Sequence, residues 1–128
     1  MTVRLLLDTE LALWALADPS RFSPATRKRL EESELYLSCA SLWEVAVKSE
    51  LGKMYVSAHE VLHAAAPAGF SLLPITAEHV IKVFELPVIH HDPIDRMLVA
   101  QAYTEPMYLL TNDAVLRAYG PMINFVGS

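Results

Sequence analysis

Five short apolar runs, at residues 3–7, 35–38, 70–73, 107–110 and 123–126, alternate with helix-like segments along this chain. The first, Val3-Arg4-Leu5-Leu6-Leu7, is nearly continuous in apolar character rather than alternating. Such a strand is covered on both faces, as happens when crossover helices pack above and below a parallel sheet. The intervening segments have helical signals. Leu11, Leu13, Trp14 and Leu16 predict a helix ending near Asp18-Pro19. Ser23-Pro24 supplies an N-cap and an N1 proline for a helix running to about residue 33. Further helices are expected over 41–51, 58–66, 77–86, 93–105 and 114–119, several stopped by Gly or Pro. Strands and helices in alternation predict an α/β fold with a central parallel sheet.

The 128 residues suit one domain spanning 1–128, and 53% hydrophobic residues can fill its core. Apolar runs are interrupted well before the roughly 18 residues a membrane span requires. Cys39 is the sole cysteine, so no intrachain disulfide can form; it is expected as a small buried filler in a cytoplasmic protein. The net charge of −5 argues against simple binding to a phosphate backbone. It leaves room for an enzyme whose acids hold a divalent metal, because the ion reverses the local sign.

Acids stand at the strand-to-helix junctions: Asp8, Glu44, Asp92 with Asp95, and Asp113. Each has a structural explanation as a helix cap. Ser41-Leu42-Trp43-Glu44 fits a capping box with Glu44 at N3, and Glu44 can pair with Lys48 one turn on. Asp92-Pro93-Ile94-Asp95 fits an N-cap to N3 series. Yet Thr9, Ser38, Ser41, Thr111 and Asn112 already offer capping oxygens nearby. In a parallel sheet these junctions lie along one edge, where ligands bind. Carboxylates gathered there repel one another unless a hard cation such as Mg²⁺ or Mn²⁺ sits among them. Such an ion can activate a water against a phosphodiester.

Four segments carry a family resemblance: Leu5-Leu6-Leu7-Asp8-Thr9, Ser41-Leu42-Trp43-Glu44-Val45-Ala46-Val47-Lys48, His91-Asp92-Pro93-Ile94-Asp95-Arg96-Met97-Leu98-Val99-Ala100-Gln101-Ala102, and Leu110-Thr111-Asn112-Asp113. In this order, across nearly the whole chain, they resemble the PIN domain, and most of all the VapC-type toxins of bacterial toxin–antitoxin pairs. The resemblance implies a three-layer α/β/α fold and Mg²⁺- or Mn²⁺-dependent cleavage of RNA. It implies an acidic quartet of Asp8, Glu44, Asp95 and Asp113, with Asp8 and Asp95 as main metal ligands. Thr9, Thr111 and Asn112 match polar positions beside the site, and Asp92 falls outside the quartet as a helix cap. A cognate antitoxin, a homodimer and a larger toxin–antitoxin assembly are the partners it implies. Glu10 departs from the pattern, standing where many similar sequences carry His or a neutral residue.

Other residues have competing explanations. Lys48, Lys53 and Arg96 can contact RNA phosphates or pair with neighbouring acids. His59 and His63 have zinc-binding spacing but no third ligand nearby. His90-His91 can line the cleft or serve the loop, and Trp14 and Trp43 are expected in the core. Two alternative functions remain. One is a PIN-like binding module without catalysis. The other is an aspartate-based phosphotransfer domain, which lacks a mid-chain Asp between Asp18 and Asp92 and has Glu10 where a second Asp would stand.

Overall fold

The computed structural model describes residues 2–127. Its sheet has five parallel strands in the order β3-β2-β1-β4-β5. They are β1 (Arg4–Leu7), β2 (Glu34–Ser38), β3 (Phe70–Leu73), β4 (Tyr108–Thr111) and β5 (Ile123–Phe125). The helices are α1 (Thr9–Ala17), α2 (Pro24–Glu31), α3 (Cys39–Glu50), α4 (Ala58–Ala65), α5 (Ala77–Glu85) and α6 (Pro93–Thr104). Pro19–Arg21 and Ala114–Tyr119 form 3₁₀ turns, so the last expected helix is present in a tighter form. All five expected strands are found, and the architecture is the expected α/β/α sandwich around a parallel sheet.

The apolar character of β1 has a direct cause. Leu5 and Leu7 face one core, with Leu11, Phe22, Leu30, Val61 and Phe70 from α1, α2, α4 and their surroundings. Leu6 faces the other, with Leu98, Val99, Ala102, Leu116 and Tyr119. Period-2 alternation sends neighbouring leucines to opposite layers. Leu109 and Leu110 divide in the same way on β4. α3 bridges the layers, giving Val45 to the first core and Ala40 to the second.

Three expectations for α3 are corrected. Its N-cap is Ser38, whose hydroxyl accepts from the Ala40 amide at 2.9 Å. The helix thus begins before Ser41, and Ser41-Leu42-Trp43-Glu44 is no capping box. Ser38 ends β2, so strand and helix meet without a turn between them. Trp43 is not a core residue; it is 61% exposed on the outer face of α3. Trp14 does pack inward, edge-on to Phe22 with ring centroids 5.5 Å apart. Cys39 is half-buried rather than buried. Among the described residues, no helix is long and apolar enough to cross a membrane.

Sheet order places β1 beside β4, where the crossovers change direction, and such a switch point opens a crevice at the strands' carboxyl ends. The two leucine layers hold that edge. Replacing the fully buried Leu6 by Ala should cost about 2–5 kcal/mol in urea unfolding. A cost under about 1 kcal/mol would contradict a tightly packed second core.

Candidate functional site

Asp8 follows β1 directly and caps α1, its Oδ1 accepting from the Leu11 amide at 3.0 Å. Its Oδ2 accepts from the Thr111 hydroxyl at 2.5 Å, across from the end of β4. The same Thr111 oxygen accepts from the Asp113 amide at 3.0 Å. One hydroxyl therefore orients Asp8 and fixes the turn that carries Asp113. Asp113 caps the following 3₁₀ turn through the Val115 amide. Asp92 caps α6, with its Oδ1 accepting from the Ile94 and Asp95 amides. Asp95 sits in the first turn of that helix. Glu44 reaches in from α3 and pairs with Lys48 at 2.8 Å.

These elements enclose an open cleft of about 400 Å³ lined by Asp8, Glu44, Asp95 and Asp113, with Asp92, Asn112, Thr9, Glu10 and Lys48 beside them and Leu13 and Met54 as its apolar wall. All four acids singled out in the sequence thus reach one place. Capping and clustering turn out to be compatible. Asp8, Asp92 and Asp113 each spend one oxygen on backbone amides, and the amino ends of α1 and α6 supply a positive field. Glu10 is exposed at the rim, where it adds negative charge.

The electrostatic consequence falls on the buried acids. Burial pushes the Asp8 carboxyl up, against the lowering effect of its Thr111 and Leu11 hydrogen bonds, and Glu10 adds to the rise. Asp95 is pushed up to about 7, first by burial and then by the charge of Asp92, against a lowering effect of His90, with Glu44 and Asp8 adding to the rise. Lys48 is raised by its hydrogen bond to Glu44, with Asp92 and Asp95 contributing. It is a cation held inside an acidic cleft, consistent with pairing to Glu44.

Other candidates divide. Thr9 does not point its hydroxyl at the acids; it donates to Ser41 at 2.9 Å and ties α1 to α3. Arg96 is withdrawn from any phosphate, because its guanidinium donates to the Val83 and Leu86 carbonyls at 3.0 and 3.1 Å. Val83 lies in the last turn of α5, where its carbonyl also accepts from the Leu86 amide at 3.2 Å, and Leu86 is the helix's C-cap, so the arginine is committed to closing that helix. Lys53 is exposed and does not line the cleft. His59 and His63 are exposed with rings 4.4 Å apart and no third ligand among the described residues. His91 is exposed. His90 reaches the cleft: its Nε2 lies 2.9 Å from Asp113 and 3.5 Å from Asp95. Its place two residues before the capping Asp92 is the sequence signal for this position. One ligand atom from each of His90, Asp95 and Asp113 falls within 4.8 Å of the others.

A parallel five-stranded α/β/α fold with carboxylates at its switch point is an architecture suited to holding cations beside an anionic substrate. Comparison with known proteins narrows the class. The PIN domain family profile matches residues 5–120. The chain is 30% identical over 126 residues to "Ribonuclease VapC22" of Mycobacterium tuberculosis, covering 89% of this chain and 90% of that protein. The chain belongs to the PIN domain family. The fold is shared with VapBC2 from Rickettsia felis bound to a promoter DNA fragment (TM-score 0.70, 13% identity, 97% of this chain and 98% of that one). It is shared also with DNA-bound VapBC from Salmonella typhimurium (TM-score 0.66, 16% identity, 97% and 98% covered). FitAcB from Neisseria gonorrhoeae gives a TM-score of 0.62 at 19% identity, with 95% and 96% covered.

The raised Asp95 carboxyl makes a prediction for the metal-free protein. The unfolded chain releases this proton near 3.8, whereas the folded chain keeps it to about 7. The stability contributed in acid is therefore lost as pH rises through that window. In EDTA at neutral pH, Asp95→Asn should stabilise the protein by about 1–2 kcal/mol, a figure reduced for the residue's partial exposure. Urea melts at pH 4 and pH 7 would check it. A gain equal at both values, or a loss at pH 7, would contradict the clustering of charge on Asp95.

Proposed function

We propose that this chain is a Mg²⁺- or Mn²⁺-dependent endoribonuclease and the toxin of a cytoplasmic toxin–antitoxin pair. The observation that carries the reading is the convergence of Asp8, Glu44, Asp95 and Asp113 on one cleft in a PIN fold. The similarity to a protein named as a ribonuclease points the same way. The donor set fits a hard divalent cation. It is rich in carboxylate oxygens, and the repulsion felt at Asp95 is what a bound cation relieves.

Asp8 and Asp95 would hold the ion, with Glu44 and Asp113 completing its surroundings. When bound, the ion makes water a usable nucleophile near neutral pH and offsets charge on the phosphate. The protein's own part is orientation. Thr111 aims one oxygen of Asp8 while the Leu11 amide holds the other. Asn112 lines the cleft as a neutral hydrogen-bonding group. Lys48 is the lining cation available to an approaching phosphate once Glu44 turns to the ion. RNA phosphates enter an otherwise acidic cleft, so binding depends on the ion that reverses its sign.

The partners follow from two apolar surfaces. Leu13, Leu16, Ala17, Val56, Val61 and Ala64 line a groove that meets the acidic cleft at Leu13. We assign it to a segment of the cognate antitoxin, since one solved structure that shares the fold is a toxin-antitoxin complex from Klebsiella pneumoniae. On the far side, Trp43, Val80, Ile81 and Phe84 are 61%, 54%, 60% and 91% exposed. That face of α3 and α5 is assigned to a homodimer contact.

Incubating the full chain with structured RNAs should give cleavage in Mg²⁺ or Mn²⁺ and none in EDTA. Asp8→Asn should lower the rate by about 100-fold or more. Metal-independent cleavage, or full activity in Asp8→Asn, would overturn the assignment. Phe84→Glu should convert a dimer to a monomer in sedimentation while leaving the monomer folded. An unchanged dimer would exclude this face.

A further inference from the structure

The acidic cleft includes one imidazole whose hydrogen bonds fix which ring nitrogen accepts and which faces the acids. The Asp92 amide donates to His90 Nδ1 at 3.0 Å. An amide nitrogen cannot accept, so Nδ1 must present its lone pair, and the ring proton lies on Nε2. Nε2 faces Asp113 Oδ2 at 2.9 Å and Asp95 Oδ2 at 3.5 Å. The imidazole thus places its donor nitrogen between two carboxylates. A metal-ligating histidine has the opposite arrangement, with its second ring nitrogen donating to an acceptor. Ligation through Nε2 here would move the proton to Nδ1, opposing it to the Asp92 N–H.

The loop carrying His90 is fastened independently. The Tyr119 hydroxyl donates to the Pro87 carbonyl at 2.9 Å and accepts from the Ile89 and His90 amides at 3.3 and 3.1 Å. Tyr119 is itself held by Tyr103, whose hydroxyl donates to the Tyr119 carbonyl at 2.6 Å. At the other end of the loop, Arg96 binds the Leu86 carbonyl. Tyr119 closes the 3₁₀ turn that Asp113 opens, so the loop and that turn are linked at both ends.

We propose that His90 is a positioning residue: its Nε2–H holds Asp113 in place and spans the gap to Asp95, and His90 is not itself a metal ligand. The proposal rests on the metal site assigned above. It explains how two carboxylates without a mutual hydrogen bond keep a fixed separation before a cation enters.

Calorimetric titration of Mn²⁺ into the full chain tests it through variants that separate the two ring nitrogens. Gln at this position can place an amide N–H near Nε2, whereas Asn reaches only the Nδ1 position. H90Q should bind Mn²⁺ within about threefold of the unaltered protein, while H90N and H90A should lose roughly 10–100-fold in affinity with unchanged stoichiometry. Pulsed EPR of the Mn²⁺-loaded unaltered protein should show no directly coordinated ¹⁴N. Direct ¹⁴N coordination, an H90Q loss equal to that of H90A, or unaltered affinity in H90A would each overturn the proposal. Asp8→Asn, titrated alongside, tells the two levels apart. Full Mn²⁺ binding in Asp8→Asn removes the metal site itself. Loss there with full binding in H90A removes only the role of His90.

Discussion

Carboxylates brought into one half-buried cleft repel each other, and the fold holds them there regardless. Four of them are anchored by groups of the protein itself. Asp8 is gripped by the Leu11 amide and Thr111 hydroxyl, Asp92 by two amides at the start of α6, Asp113 by an amide and His90, and Glu44 by Lys48. The remaining cost is visible in Asp95, pushed up to about 7. The two leucine layers packed on either face of β1 and β4 supply the rigidity that keeps this arrangement closed. Stability given up at the cleft is what makes the site receptive to a positive ion.

The same groups serve as caps and as cleft lining, and this resolves the ambiguity that each acid had when taken alone. A carboxylate has two oxygens. At Asp92 and Asp113 Oδ1 goes to the helix or turn, while Oδ2 of Asp113 goes to His90. At the switch point between β1 and β4, amide donors and helix dipoles are aimed where the acids stand. Capping is therefore part of how the site is built rather than an alternative to it.

Strands were legible because burial on both faces leaves continuous apolar runs, and residues 5–7 are the clearest of them. The convergence of the four acids was legible because parallel topology sends strand ends to one edge. The features that were not legible depend on partners distant in sequence or on a choice between adjacent residues. Ser38 and Ser41 are both plausible caps, and only the direct join of β2 to α3 selects Ser38. Trp43 lies on an apolar stripe, but α3 spans the two cores and leaves that side outward. Arg96 stands beside the acids in sequence, yet the Val83 and Leu86 carbonyls at the carboxyl end of α5 claim it. His90 acquires its role from Asp113, 23 residues away, and from the Tyr119 clasp.

Asp8, Glu44, Asp95 and Asp113 are proposed to form one site for a divalent cation. Anomalous diffraction from crystals soaked in Mn²⁺ measures this most directly. A manganese peak is expected in the cleft, with oxygens of Asp8 and Asp95 at coordination distance, about 2.1 Å, and no protein nitrogen among its ligands. A cleft without manganese at saturating Mn²⁺, or a peak only at a surface position such as the His59–His63 pair, would contradict it.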